Sequence, residues 1–313
     1  MAYDPWAETR PNQSTQNYYQ NNRRTARPPA WMRQKRRRSG CGCGCGPFLW
    51  ALLIVVALMF AVYAFTPVRT NLLVLGIDYA PPGSSVSRSD TIILATVVPT
   101  KPYVATLSIP RDLWVNIPGV GENRINTAHF FAEGQQVGSG PFATMETIRE
   151  NFGVDVDYFL RLRFEAVRGI VNAMGGVDIT LDKPLAGYAP GKYHLTGNKA
   201  LAFARHRLGA DDFFRMEQGQ LLIKAIVRQL LRPTSWPRIP LVMAALAKDV
   251  YTNIPWWQWP RLGLAILRAG PDGIDNRQIE RQMTTSFTTD QGANVLLPDW
   301  SQINPLVKEM FSP

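Results

Sequence analysis

From Phe48 through Phe65 the chain reads FLWALLIVVALMFAVYAF, 18 apolar or small residues without a charge. Wound as a helix at about 1.5 Å per residue, such a run is long enough to cross a hydrocarbon core of about 30 Å, so it predicts a single membrane span. A cleaved signal peptide is the competing reading. The run is long for a signal h-region, starts well inside the chain and is followed by no small-x-small cleavage site, so a retained anchor is expected.

The flanking charges give the span a direction. Residues 1–47 hold nine Lys/Arg against two Asp/Glu, which is +7 of the chain's net +10, and eight of the nine lie between Arg23 and Arg38. Residues 66–313 hold 25 Lys/Arg against 22 Asp/Glu. The positive-inside rule therefore puts the N-terminus in the cytoplasm and the large C-terminal part outside, in a single-pass protein of the cell membrane. That outer part is nearly neutral, with no domain-wide basic footprint for nucleic acid. Arg33–Arg38 (RQKRRR), beside a span, reads as a topology signal rather than a nucleic-acid or anionic-lipid patch. The three cysteines, Cys41, Cys43 and Cys45, fall in a CGCGCG stretch before the span, leaving none for a disulfide outside. That stretch reads as a flexible linker rather than a metal or acylation site. The expected organisation is a disordered basic cytoplasmic tail over 1–47, a membrane helix over 48–65, and one outer domain over 66–313.

Past residue 71 the pattern changes to short apolar runs, Asn71–Ile77, Thr91–Val98 and Val104–Ile109, without the polar alternation of a one-sided sheet. They predict buried strands. Asp157–Phe164 and Val177–Leu181 are further strand candidates. Helical stretches interleave with them: Phe142–Phe152, Glu165–Met174 ended by Gly175-Gly176, Asn198–Arg207, Asp212–Leu231, and the Pro-broken Pro240–Val250 and Pro260–Ala269. Strands alternating with helices predict an α/β domain of three α/β/α layers, parallel and mixed sheets being equally compatible. The aromatic run Trp256-Trp257-Gln258-Trp259 reads as packing rather than as an interfacial belt or sugar platform.

Charged residues interrupt this apolar pattern at strand ends. Asp78 follows the first strand, Arg88-Ser89-Asp90 opens the second, and Arg111-Asp112 leaves the third through Pro110. Strand ends are where α/β sheets bind ligands. Two carboxylates without a neighbouring His suit a hard cation such as Mg²⁺, which takes one or two protein oxygens and completes its shell with water and phosphate. Further on, Arg205, Arg207 and Arg215 add three guanidiniums, the last in the first turn of a long helix, where a cation opposes the helix dipole unless it faces an anion. Such a set, outside the membrane and lacking G-x-x-x-x-G-K-[ST] and G-x-S-x-G, suits a pyrophosphate and phosphoryl transfer rather than nucleotide hydrolysis or serine-esterase chemistry. His129, His194 and His206 are too scattered for a zinc set.

Read in order, NLLVLGID, RSDTIIL, LSIPRD, RINTA (Arg124–Ala128), DYFLRLRF, VNAMGGVDI, LTGNKALAFARHR and DDFFR resemble the LytR-CpsA-Psr family of cell-wall glycopolymer ligases over residues 71–231. The resemblance implies an enzyme that binds a polyprenyl-pyrophosphate-linked glycan, with Mg²⁺ on the pyrophosphate, and transfers the glycan to peptidoglycan with release of polyprenyl phosphate. It assigns the metal to Asp78 and Asp90. The pyrophosphate falls to Arg88, Arg111, Arg205, Arg207 and Arg215, with Gln218 and Gln220 as further donors. Among these, catalysis would rest on Asp90, Arg111, Arg205 and Arg207, with Asp90 or metal polarisation taking the acceptor proton. The chain departs from the family pattern at Gln218-Gly219-Gln220, where members often carry Arg-Gln-Gln. That departure keeps a second reading open: a non-catalytic lipid-pyrophosphate or wall-glycan binding protein, or a membrane-bound regulator of envelope synthesis.

Overall fold

The computed structural model describes residues 45–65, 68–77, 86–99, 103–206, 212–270 and 273–312. The chain divides into two compact units, residues 1–55 and 56–313. The apolar run lies within α1, Cys45–Phe65, a helix of 21 residues. Its large apolar side chains are exposed to the surroundings, Phe48 and Val62 among them. The side chains described in α1 span only 48–63, and among the described residues no helix is long and apolar enough to cross a membrane.

Six strands build the central sheet: β1 (Thr70–Ile77), β2 (Ser89–Val98), β3 (Tyr103–Ile109), β6 (Tyr158–Arg163), β9 (Val250–Thr252) and β10 (Ile274–Gln278), in the order β10-β3-β2-β1-β6-β9. The sheet is mixed. β1 runs parallel to β6 and β3 to β10, whereas β1–β2, β2–β3 and β6–β9 are antiparallel. Both faces are covered, which is why β2 is buried along almost its whole length instead of alternating. Leu73, Leu75, Leu94 and Leu107 face a core closed by α2 (Asn126–Gln135), α3 (Gly140–Phe152) and α9 (Trp300–Phe311). Leu72, Val97, Val104 and Leu160 face α8 (Gln258–Ala269) on the other side. The layered α/β expectation therefore holds, and the mixed sheet resolves the open choice.

A second apolar core unites α4 (Phe164–Met174), α5 (Gly197–Arg205), α6 (Asp212–Leu231), α7 (Ile239–Asp249) and the hairpin β7 (Val177–Leu181) with β8 (Gly191–Leu195). The expected strand at Val177–Leu181 thus exists but stays outside the main sheet. α4 ends as read from Gly175-Gly176. Both glycines have positive φ, 82° and 104°, and their N–H groups return to the carbonyls of Asn172 and Val171. Two further hairpins, β4 (Trp114–Ile117) with β5 (Gly121–Arg124) and β11 (Thr284–Thr288) with β12 (Asn294–Pro298), flank the sheet. Of the Trp run, Trp259 packs into the α8 core as expected, but Trp256 and Trp257 are exposed, stacked edge-on at 5.9 Å.

Candidate active site

One edge of the sheet collects the charged strand ends. Ile77, the last residue of β1, lies opposite Ser89 of β2 and beside Arg163 of β6. Across β3, Ile109 lies opposite Ile92, and Ser108 beside Gln278 of β10. The carboxyl ends of β1, β3, β6 and β10 and the amino end of β2 therefore share this edge, the expected ligand edge of an α/β sheet.

Asp90 sits at an irregularity in this ladder. Gly76 pairs with Thr91, but the next residue, Ile77, pairs with Ser89, so Asp90 is the extra residue of a β-bulge. A bulge re-aims a side chain that regular pairing would commit to one face. The bulge is also where a side chain on β1 would not fit: a Cβ on Gly76 would lie 2.9 Å from Thr91 Cβ.

Arg111 reaches Asp90 across the edge, its guanidinium 2.6 Å from Asp90 Oδ1. Both side chains remain partly open, 29% and 17% exposed. Asp112 then lies between two guanidiniums, 3.5 Å from Arg111 Nε and 3.4 Å from Arg124 Nε. Arg124 also donates to the carbonyl of Asn294 at 2.6 Å. Two carboxylates thus fix the direction of Arg111. Asp112 and Arg124 were not among the expected site residues, although each stands inside a quoted string, SIPRD and RINTA, and their charges could have drawn attention.

The other expected residues gather along the same edge with differing freedom. Arg205 ends α5 and bonds Glu165, the second residue after β6, at 2.6 Å. Arg88, just before β2, is exposed and lies over the Phe130 ring at 5.5 Å. Arg215 is half-buried in the first turn of α6. That turn projects past the sheet edge, because Arg281, just beyond β10, stacks on Phe213 at 5.1 Å. Gln220 is committed to the scaffold: its amide donates to Ser108 Oγ at 3.0 Å and to the Arg277 carbonyl at 2.8 Å, tying α6 to β3 and β10. Gln218 is buried, its Oε1 without a hydrogen-bond partner. Gln220 Nε2 is therefore spent on the scaffold, while Gln218 is buried without a hydrogen bond to its Oε1. Asp78 and Arg207 lie outside the described residues, as do Cys41, Cys43 and the tail over 1–44.

Other buried polar atoms at this edge lack partners, among them Ser89 Oγ beside Asp90 and Gln278 Oε1 beside Ser108. Buried polar groups are nearly always satisfied, so unmet ones at this edge are available to a water or a polar ligand. Among the described residues no group of three His, Cys, Asp or Glu side chains could hold a metal ion by itself. The donor set suits a cation such as Mg²⁺, which needs few protein oxygens: Asp90 Oδ1 is taken by Arg111, while Oδ2 has no hydrogen-bond partner among the described residues.

A second charged cluster, which the reading of scattered histidines passed over, lies behind this edge. His129 is fully buried in α2, and its Nδ1 pairs with the Ser87 carbonyl at 2.9 Å. Burial holds its pKa below the ordinary histidine value, outweighing the Ser87 bond. Glu133 accepts from Arg161 at 3.0 Å and from the N–H groups of Gly138 and Gly140 at 3.0 and 3.1 Å. Burial pushes its carboxyl up, but those bonds together carry it below the usual range. Since Ser87 directly precedes Arg88, this cluster holds the entry to β2.

The sequence profile of the LytR_cpsA_psr family matches residues 66–311. The polyisoprenyl-teichoic acid–peptidoglycan teichoic acid transferase TagU of Bacillus cereus is 31% identical over 191 residues, 59% of this chain and 60% of that protein. The TagU of Oceanobacillus iheyensis is 30% identical over 190 residues, 59% of this chain and 58% of that protein. The chain thus spans about three fifths of the curated relatives it matches. Among solved structures, Bacillus subtilis TagV superposes with a TM-score of 0.65 at 23% identity, covering 79% of this chain and all of TagV. TagT bound to LIIa-WTA gives 0.63 at 22% identity, over 77% of this chain and 89% of that one. These likenesses extend the shared fold over the layered domain, and with the family profile spanning nearly all of it, the chain belongs to the LytR_cpsA_psr family.

Proposed function

We propose that this protein is a phosphotransferase that moves a glycopolymer from a polyprenyl-pyrophosphate carrier to peptidoglycan outside the membrane and releases polyprenyl phosphate. The observation that carries the reading is Asp90 on its bulge, bonded at 2.6 Å to an Arg111 that Asp112 also braces, at the edge where Ser89 and Gln278 keep unmet polar atoms. The relatives' names, which state a transfer of teichoic acid to peptidoglycan, support it.

In this reading a hydroxyl oxygen of the acceptor attacks the phosphorus that bears the glycan. A new P–O bond forms as the bond to the bridging oxygen breaks, and that oxygen leaves on polyprenyl phosphate. The chain's work is positioning and charge: Arg111, with Arg205, Arg215 and Arg88 around the edge, neutralises phosphate oxygens as charge moves onto the leaving group. Catalysis is assigned to Asp90, Arg111 and Arg205, and to Arg207 from its sequence motif alone. The hydroxyl proton goes to Asp90 Oδ2 where no cation occupies that oxygen; with a cation held there, polarisation by the metal would suffice and the proton would pass to solvent. Asp78 and Asp90 would hold Mg²⁺, which when bound supplies charge neutralisation to the pyrophosphate.

The anchoring of the protein belongs to the same proposal. α1, 21 residues or about 31 Å long, crosses the membrane with the basic tail inside. Its support is the unbroken apolar sequence and the exposure of its side chains, together with Tyr63 near its outer end, whose hydroxyl donates to the Trp257 carbonyl beside two exposed tryptophans suited to a membrane interface.

One observation favours a second reading. Gln218 is buried and Gln220 is spent on the scaffold, so donor binding without turnover would follow if the site needs the charge that members often carry there. Purified full-length protein in detergent, given a lipid-pyrophosphate glycan and a peptidoglycan acceptor, separates the two. The transferase releases polyprenyl phosphate, and the release falls on adding EDTA and in Asp90→Ala. Tight donor binding with no release in the parent would select the binding protein.

A further inference from the structure

Beside the edge just described is a cavity of about 260 Å³ lined by Ile77, Arg161, Arg163, Lys248, Asp249 and Tyr251. It falls below the roughly 300–1,000 Å³ that enclose a drug-sized ligand, so it is sized for a single small group rather than a length of chain. Its floor is rigid. Arg161 is clamped by the buried Glu133 at 3.0 Å and stacks on the Tyr251 ring at 4.6 Å, which leaves it fixed in place and electrically balanced. Its rim is different. Among the described residues the side chains of Arg163 and Lys248 form no hydrogen bond or ion pair, and that of Asp249, the one carboxylate beside them, forms none either. Two uncommitted cations outnumber one uncommitted anion around a pocket with a preorganised floor, an arrangement that attracts an anion from solution.

Its position ties it to the proposed chemistry. Ile77 lines the cavity and lies beside Arg163 in the parallel pairing, and on its other side it lies opposite Ser89, the neighbour of Asp90. β6 is two strands from β2, about 10 Å at the usual strand spacing. The first units of a polymer attached to the reacting phosphate can reach that far. The guanidinium fork of Arg163 matches a phosphate's oxygens better than a point charge would.

We propose that this cavity is an anion subsite for a phosphate carried on the glycopolymer itself, beyond the pyrophosphate linkage, through which the protein prefers phosphate-bearing polymers to neutral glycans. The proposal rests on the transferase reading for its biological meaning, but its test needs no turnover. Full-length protein in detergent is titrated calorimetrically with an oligo(glycerol phosphate) lacking lipid and pyrophosphate, and with a neutral oligosaccharide of equal length. The parent binds the phosphate oligomer and not the neutral one. Arg163→Gln with Lys248→Gln weakens binding tenfold or more, with the melting temperature unchanged, and added salt weakens the parent in the same direction. Absence of binding by the parent, or equal binding by the double variant, overturns the proposal. So does a carboxylate-bearing muropeptide that binds through Arg163 and Lys248 while the phosphate oligomer does not, since the subsite then belongs to the acceptor. A parent that binds the oligomer but never releases polyprenyl phosphate leaves the subsite standing and removes the transferase reading.

Discussion

Two charged clusters lie strands apart on one sheet and are built in opposite ways. Around Arg111 the groups are partly exposed, linked through ion pairs among Asp90, Arg111, Asp112 and Arg124, and bordered by polar atoms with no partner. Around Glu133 the carboxylate is buried and both its oxygens are bonded, to Arg161 and to two backbone N–H groups. A network closed on itself stabilises and orients; one left partly unmet is shaped for something that arrives later. The first is therefore where chemistry is expected and the second is what holds it in place, through His129 on the strand entry at Ser87. Arg161 connects the two kinds of site, since it completes the closed network and floors the cationic cavity.

Breaking the closed cluster should be costly to stability. Glu133→Ala strands Arg161 and two N–H groups and is expected to lose about 3–5 kcal/mol, read from urea unfolding. A loss below about 1 kcal/mol would mean that the cluster is no scaffold. Gly140→Ala attacks the same contacts sterically, because its Cβ would lie 2.6 Å from His129 Cδ2 and 2.9 Å from Glu133 Oε2. The neighbours must shift, at an expected cost of about 1–3 kcal/mol. Gln220→Ala, which unties α6 from β3 and β10, should cost about 1 kcal/mol. If its effect fell on donor affinity and left stability alone, Gln220 would belong to the site instead of the scaffold.

The pH response sharpens the same contrast. His129 has a folded pKa below its unfolded value near 6.5, so the folded state binds fewer protons and its stability rises with pH through that window. That contribution is full above about pH 6.5 and is lost as the pH falls from there toward the folded value. Glu133, also depressed, adds a loss of the same sign below about pH 5. Melting temperatures of the parent should decline from about pH 6.5 downward, and His129→Gln should flatten the upper part of that decline. An unchanged slope in the variant would remove His129 from the account.

The sequence showed the edge more clearly than the cluster behind it. Buried runs of Val, Ile and Leu announce β1, β2 and β3, and charges placed directly at their ends are legible because they stop an apolar pattern abruptly. The bulge at Asp90 is not legible, since it depends on how β1 registers against β2. β10 (IDNRQ) and β9 (VYT) were missed because one is mostly polar and the other has three residues; each becomes a strand by pairing with β3 or β6. His129, Glu133 and Arg161 are four and 28 residues apart along the chain and meet only once α2 packs on β6, so no local spacing betrays them. Helix packing, which buries Gln218 and ties Gln220 to β3 and β10, is not legible in the sequence either.

The central claim is that the open cluster does chemistry while the closed one does not. The most direct test measures polyprenyl phosphate release and melting temperature together on full-length Arg111→Ala. The account predicts release reduced by about 10²–10³-fold, with a melting temperature close to the parent's, since a partly exposed ion pair contributes only about 0–1 kcal/mol. Release at the parental rate from a folded Arg111→Ala protein would contradict it.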